Sequence, residues 1–423
     1  MTSLREDIEA IYREAVAAVR ADVAVRTVLR MHDGGLSVGD HRLLLGSAGV
    51  YLIAIGKASV AMIDAAADVL GDSLTAGLAV TKSEKPSLHP RIETLMGSHP
   101  VPDHRSLDAG EAVLHFAASA PDRALVLCLI SGGGSALVES LREGVDLEQL
   151  REVTQSLLRG GASIHELNAV RSRFSLIKAG GLLRALVHAE VCNIIVSDVL
   201  GDDLHTIASG PTVPPAPGDA GAVLKRYDVA FDLPAAEDIA DPDAVPTVIA
   251  ANVSTAIDAA AAEAAARGFR PVVLSRSVDG EARDVGRMFA AMVADGARGL
   301  TAFGDGTCLL AGGETTVTVR GSGTGGRNTE AALTAAIRLA GLDGVAVGML
   351  ATDGDDGTSG VAGGIVDGAT VDDANLNVAW KSLANNDSYT FLNEHAATLR
   401  TGPTGTNVND LMIGLIRNRD TSE

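Results

Sequence analysis

At 423 residues the chain exceeds what one hydrophobic core usually supports, so two domains are expected. Hydrophobic residues make up 46% and charged residues 21%, ordinary globular usage, but the formal charge of -20 and pI near 4.8 exclude a nucleic-acid surface or an anionic membrane, because a net negative field repels polyphosphate. Only 3% of residues are aromatic, which also removes stacking platforms for single-stranded nucleic acid.

The N-terminal segment reads as an amphipathic helix of mixed charge rather than a signal peptide, and no apolar run approaches the ~20 residues a membrane span needs. Short β-branched runs at 50–55, 124–130 and 191–197 alternate with helical patterns at 57–70, 146–160 and 166–188, the arrangement of βαβ units around a parallel sheet. Those strands are apolar throughout, as expected where helices cover both faces. A Pro-rich stretch at 214–218 and an acidic one at 232–246 read as a domain junction. A second α/β set follows, with strands expected at 247–251, 271–275, 315–319 and 345–351 and helices at 254–267, 281–297 and 328–340. Cys128, Cys192 and Cys308 lie far apart with no paired spacing, which suits buried thiols in a reducing compartment rather than disulfides or zinc ligands, and the cytoplasm is the expected location.

In open parallel sheets ligands bind beyond the carboxyl ends of the strands. Four such ends carry unusual residues. The first reads VYLIAIG into Lys57, a lone cation at a helix start where it opposes the helix dipole. It is not a Walker A loop, because Tyr51 stands where glycine is needed and Ala58 where a hydroxyl is needed. The second end runs into Ser131, Gly132, Gly133, Gly134 and Ser135, where successive glycines free backbone N–H groups to cradle an anion. A serine-hydrolase reading is weak there, since G-x-S-x-G is not matched. The third presents Asp198, Asp202 and Asp203 and continues to Ser209; three carboxylates in six residues suit a magnesium site or a general base, although an aspartate at a strand end is also a common helix cap. The fourth brings Asp353, Asp355 and Asp356.

Residues 321–328 contain G-x-G-x-x-G followed by Arg327 and Asn328. A dinucleotide fingerprint requires an apolar strand before it and an acid at the end of the next; here the preceding run is half polar, and Arg327 offers a fork for phosphate or carboxylate instead. Near the C-terminus, Asn386, Asp387 and the stretch 401–410 have the density of hydroxyls, amides and glycines of a polar binding loop.

The segments IAIGKAS, SHPVPD, SGGGSAL, LNAVR, IVSDVLGDDLHTIASGPT, AGGETTVTV, GTGGRNTEAAL, ATDGDDGTSGVAGGIVDG, NNDSY and TGPTGTNVNDL, in this order, resemble the glycerate 2-kinase family, whose C-terminal part is called MOFRL and which was formerly labelled hydroxypyruvate reductase. The resemblance spans nearly the whole chain. It implies ATP-dependent phosphorylation of D-glycerate at its 2-hydroxyl, in a cleft between a larger Rossmann-like domain with a mainly parallel sheet and a smaller α/β domain. The expected limits are 1–228, completed by 385–423, and 229–384. The resemblance singles out Lys57 and Arg327. The chain departs from the pattern at Thr329 (Gln is usual), Asp355 (an apolar residue) and Ser172-Arg173 (Lys-His), differences that bear on substrate preference more than on reaction type.

Phosphoryl transfer asks mainly for positioning and charge neutralisation. Lys57 and Arg327 are therefore expected on the transferring phosphoryl group or the glycerate carboxylate, Asp198 as base or metal anchor, and residues 131–135 as the anion cradle. Ser209, Gly325, Asn328, Asn386, Asp387, Thr404 and Asn407 are further binding candidates, and Asp353 and Asp356 candidate Mg²⁺ ligands with ATP as co-substrate. A homodimer is compatible with this reading. Two rivals stay open at this point: an NAD(P)H-dependent hydroxypyruvate reductase, and a non-catalytic binder of a phosphorylated metabolite.

Overall fold

The computed structural model describes residues 3–83, 85–214, 218–234 and 244–417. Its chain divides into a continuous unit, Ala21–Ala250, and a discontinuous one made of the residues up to Arg20 together with those from Ala251 onward. Helix α1 (Leu4–Ala18), capped by Ser3 and Glu6, belongs to the discontinuous unit.

The continuous unit is built on strands β1 (Val50–Ile55), β2 (Leu74–Thr81), β3 (Ile92–Met96), β4 (Leu125–Ser131), β5 (Glu190–Val196) and β6 (Thr247–Ala251), in the order β3-β2-β1-β4-β5-β6. From β3 to β5 every pairing is parallel. β4 is buried along its whole length, so its uninterrupted LVLCLIS has no face to spare for water. Helix α2 (Ser59–Leu70) follows β1, and α3 (Ile164–Phe174) is capped by Ser163 and Glu166. A small antiparallel sheet, Leu29–His32, Gly35–Val38 and His41–Leu44, precedes β1.

One long helix over 166–188 does not form. The chain leaves helix at Ser175 because the next residues join another loop: the Ala179 amide donates to Ser209 O (3.0 Å) and the Gly180 amide to Gly210 O (2.8 Å).

The discontinuous unit contains α4 (Val253–Ala266), β7 (Arg270–Val278), α5 (Ala282–Ala297), β8 (Thr307–Gly313), α6 (Arg327–Leu339), β9 (Val345–Ala351), β10 (Gly363–Asp367), β11 (Thr398–Leu399) and β12 (Asp410–Ile416). Its sheet runs β7-β8-β12-β9-β10-β11, with β7 and β8 parallel and all other neighbours antiparallel. α1 packs on this sheet: the Tyr12 hydroxyl donates to Ala351 O (2.8 Å), and Asp7 accepts from Arg267 and Arg417. A methyl on Gly348 would sit 2.6 Å from Ile8 Cγ2, so this close approach requires glycine.

Three expectations are corrected. Segment 385–423 does not complete the first domain, because β12 pairs between β8 and β9 in the other unit. The junction falls between Ala250 and Ala251, at the end of β6, rather than near 228; residues 215–217 and 235–243 of the expected linker lie outside the described residues. No strand forms at 315–319, where Thr316 makes an isolated bridge to Glu281; the buried strand is the preceding β8. No described helix is long and apolar enough to cross a membrane. The three cysteines are free and buried, and burial pushes their thiols up.

Candidate active site

In the continuous unit the residues following β1, β4 and β5 converge. Gly56 takes φ 132°, and any side chain there would strike Ser131. The Lys57 amide donates to Gly132 O (2.9 Å) and the Ala58 amide to Ser131 Oγ (3.1 Å), which ties the two strand ends together. Gly133 is left-handed (φ 82°), and a Cβ there would lie 3.0 Å from the Lys57 side chain and 3.2 Å from His99. A Cβ on Gly132 would lie 1.8 Å from Asp198 Oδ2, so the glycine admits the carboxylate into close packing with the loop. Gly134 gives way to Ala208 in the same manner, and Ser135 Oγ meets Ser209 Oγ at 2.7 Å. Lys57, residues 131–135, Asp198 and Ser209 thus form one cluster.

Lys178 is the one lysine in an ion pair among the described residues, so Lys57 has no carboxylate counterion there. Burial, and then Lys57 and Lys82, depress the His99 imidazole to about 4. Behind the loop, Lys178 is fully buried against Glu139, and burial lowers its ammonium to about 8 although Glu139 opposes the shift. Arg171 donates to Ser135 O (3.3 Å). Two cations, Arg171 and Lys178, therefore stand against one carboxylate beneath the loop. His99, Arg171, Lys178 and Glu139 were not singled out by sequence reasoning; the basic residues that end LNAVR and SLIK carried the available signal.

In the discontinuous unit Arg327 opens α6. Its Nε and Nη2 grip Asp410 (2.5 and 3.1 Å) and its Nη1 reaches Glu314 (2.8 Å), while Asn409 Nδ2 holds the other Glu314 oxygen (3.0 Å). Burial works against the guanidinium's charge, but Asp410 and Glu314 prevail and raise it. For Asp410, burial prevails over Arg327 and raises the carboxyl. Three of the five guanidinium N–H donors are committed, leaving two for an anion. Asp410 lay within the polar stretch read from sequence but received no role there.

The other candidates in this unit hold backbone. Asp356 accepts from the Asn328 and Thr329 amides (2.8 Å each) and so caps α6, with one backbone donor on each oxygen. Asp353 accepts from the Asp355 amide (3.0 Å). Asn386 Oδ1 accepts from the Arg320 and Gly321 amides, and Asp387 from the Thr324 amide. Thr404 Oγ1 donates to Thr352 O (2.6 Å), and Asn407 Oδ1 accepts from the Asn409 amide (3.3 Å). A Cβ on Gly321, Gly323 or Gly325 would strike residues 385–388, so these glycines serve close packing of a pinned loop that follows no strand. The dinucleotide-binding reading has no support in this geometry. Among the described residues no group of three or more His, Cys, Asp or Glu side chains is placed to hold a metal ion.

Residues 7–238 match the family described as "Domain of unknown function (DUF4147)", and residues 307–410 match the MOFRL family. The D-glycerate 2-kinase of Thermotoga maritima is 41% identical over 379 residues, covering 87% of this chain and 90% of that protein. This chain belongs to the glycerate 2-kinase family. The glycerate 2-kinase of Pyrococcus horikoshii is 36% identical over 430 residues, 96% of each protein. The crystal structure of glycerate kinase from Thermotoga maritima superposes with a TM-score of 0.87 at 37% identity, covering 98% of this chain and 99% of that one. In this member of the glycerate 2-kinase family, Lys57 and the glycine loop lie in the continuous unit, and Arg327 with Asp410 and Glu314 in the discontinuous one.

Proposed function

We propose that the chain transfers the γ-phosphoryl group of ATP to the 2-hydroxyl of D-glycerate, giving 2-phosphoglycerate and ADP. It is an enzyme of the glycerate kinase type. The observation that carries the reading is the cluster at residues 131–135: a glycine loop with a cation, Lys57, that forms no ion pair among the described residues, above Arg171 and the buried Lys178. In a chain of net charge -20, this is where an anionic substrate finds compensation.

Lys57 and the loop amides hold anionic oxygens of the reactants. Asp198, packed on Gly132, takes the proton of the attacking hydroxyl, and Arg327 neutralises charge on phosphate oxygens with its two uncommitted N–H groups. Magnesium enters with ATP as part of the substrate, in keeping with a cation that prefers few protein carboxylates plus phosphates and water.

The test is purified protein with D-glycerate, Mg²⁺ and ATP, monitored for ADP, with the product identified as 2- or 3-phosphoglycerate. Lys57→Ala and Arg327→Ala are each expected to lower kcat by roughly 10²–10³. Near-normal turnover in both variants, or oxidation of NADH or NADPH by hydroxypyruvate in place of ADP formation, would refute the reading.

A further inference from the structure

Next to the glycine loop, within the continuous unit, lies a cavity of about 230 Å³ lined by Asn168, Ser172, Thr206 and Ser209, with His165 and His205 also on its wall. The cavity is smaller than the ~300–1,000 Å³ of sites that hold drug-sized ligands, and its lining sets hydroxyl, amide and imidazole groups among the apolar surface of Ala169 and Ala179. These are dimensions for a small polar molecule rather than a nucleotide.

The hydrogen-bond direction along its wall is determined by chemistry. Ser209 Oγ donates its single proton to Asn168 Oδ1 (3.2 Å), so in the 2.7 Å contact with Ser135 it is Ser135 that donates. The relay Ser135 to Ser209 to Asn168 ends with the Asn168 carboxamide oxygen occupied and its Nδ2 donors uncommitted. Ser172 Oγ donates to Ala169 O (2.8 Å) and presents its lone pairs. Asp203, beside the wall, is engaged by the His205 amide, the Thr206 hydroxyl and His165.

Backbone geometry sets the cavity apart from ordinary loops. Ala179, Ala208 and Ser209 all take left-handed φ values (48°, 51° and 61°) without being glycine, and such positions gather at ligand-binding sites, where surrounding structure must enforce them. The enforcement is visible in the Ala179–Ser209 and Gly180–Gly210 backbone bonds. Beneath the floor, Arg171 and Lys178 outnumber Glu139.

From this we infer that the cavity is the acceptor subsite, in which Asn168 Nδ2 binds the carboxylate of a small hydroxy acid and the Ser135–Ser209 relay fixes the orientation of Asn168. The inference rests on the proposed function and names which residues select the acceptor.

The experiment uses the full chain as wild type, Asn168→Asp and Ser172→Leu. The aspartate keeps the acceptor for Ser209 but replaces the donor with a negative oxygen facing the bound carboxylate; the leucine, on a half-buried helix position, fills the space. Each variant is expected to raise the KM for D-glycerate by about tenfold or more while leaving the KM for ATP within about twofold, since like charges in contact are strongly disfavoured. A rise in the ATP KM instead, or no change in either constant, overturns the inference. Wild-type turnover decides the proposed function separately. Calorimetric titration of D-glycerate into the chain without ATP reads the cavity whether or not turnover occurs: binding lost in Asn168→Asp supports the subsite, and equal binding in the variant or none in the wild type overturns it.

Discussion

Gly132→Ala gives the sharpest test of the cluster after β4. The added methyl would stand 1.8 Å from Asp198 Oδ2 and 2.4 Å from its Cγ, whereas carbon contacts settle near 3.5–4.0 Å. Gly132 is not among the residues with positive φ, so alanine meets no backbone penalty and the perturbation falls on Asp198. The carboxylate must retreat by about 1.5 Å, and a displacement of ~1 Å at a reacting group costs on the order of 10²-fold in rate. Local overpacking should cost about 1–3 kcal/mol, a fall of several degrees in Tm. ADP release with D-glycerate and ATP, measured alongside thermal melts, would then show kcat lowered about a hundredfold in a folded protein. A kcat within about threefold of wild type, with the Tm shift present, would show that Asp198 moved without consequence and would remove it from the mechanism.

Glu139→Gln leaves Lys178 buried without its partner and should lower stability by about 3–5 kcal/mol in denaturant titrations, with much of the loss recovered in Glu139→Gln/Lys178→Met; a change under ~1 kcal/mol would refute the buried pair. Asp356→Ala removes the cap of α6 and should cost about 0.5–2 kcal/mol, while the Mg²⁺ concentration for half-maximal turnover stays unchanged; a shift in that concentration would support a metal role. His99, depressed to about 4, is expected to stay neutral in NMR titrations down to that pH. Between its folded value and the unfolded ~6.5 the unfolded chain binds the extra proton, so the contribution of His99 to stability is present above ~6.5 and is lost as pH falls toward 4; partial exposure limits it to ~1 kcal/mol. Lys57→Met should move the His99 titration upward, and no movement would place Lys57 elsewhere.

Much of the continuous unit was legible in linear sequence because its strands are local and unambiguous: VYLIAI and LVLCLIS cannot expose a face, and the residues that end them meet in one cluster. The segment TTVTV misled for a physical reason. Its β-branched residues favour extended backbone, yet the sheet takes TCLLAGG, whose burial between β7 and β12 outweighs propensity. Asp356 and Asp198 are both acids after apolar strands, and only three-dimensional placement separates them: one meets the amides opening α6, the other a glycine loop. Asn168 and Arg171 were invisible as chemistry because they sit inside a helix, α3, and acquire their roles from Ser209 and Ser135, 41 and 36 residues away in the chain.

The position of β12 has a consequence for biosynthesis. The strand at 410–416 lies between β8 and β9, in the middle of its sheet. While a ribosome is still translating, the continuous unit already has all of its strands, but β8 and β9 each show an unpaired edge that nothing yet made can fill. Those edges are of the kind that chaperones shield and that neighbouring nascent chains can pair with. Maturation of the discontinuous unit is thus timed to the arrival of a single late segment, and loss of that segment would expose two sheet edges rather than shorten one.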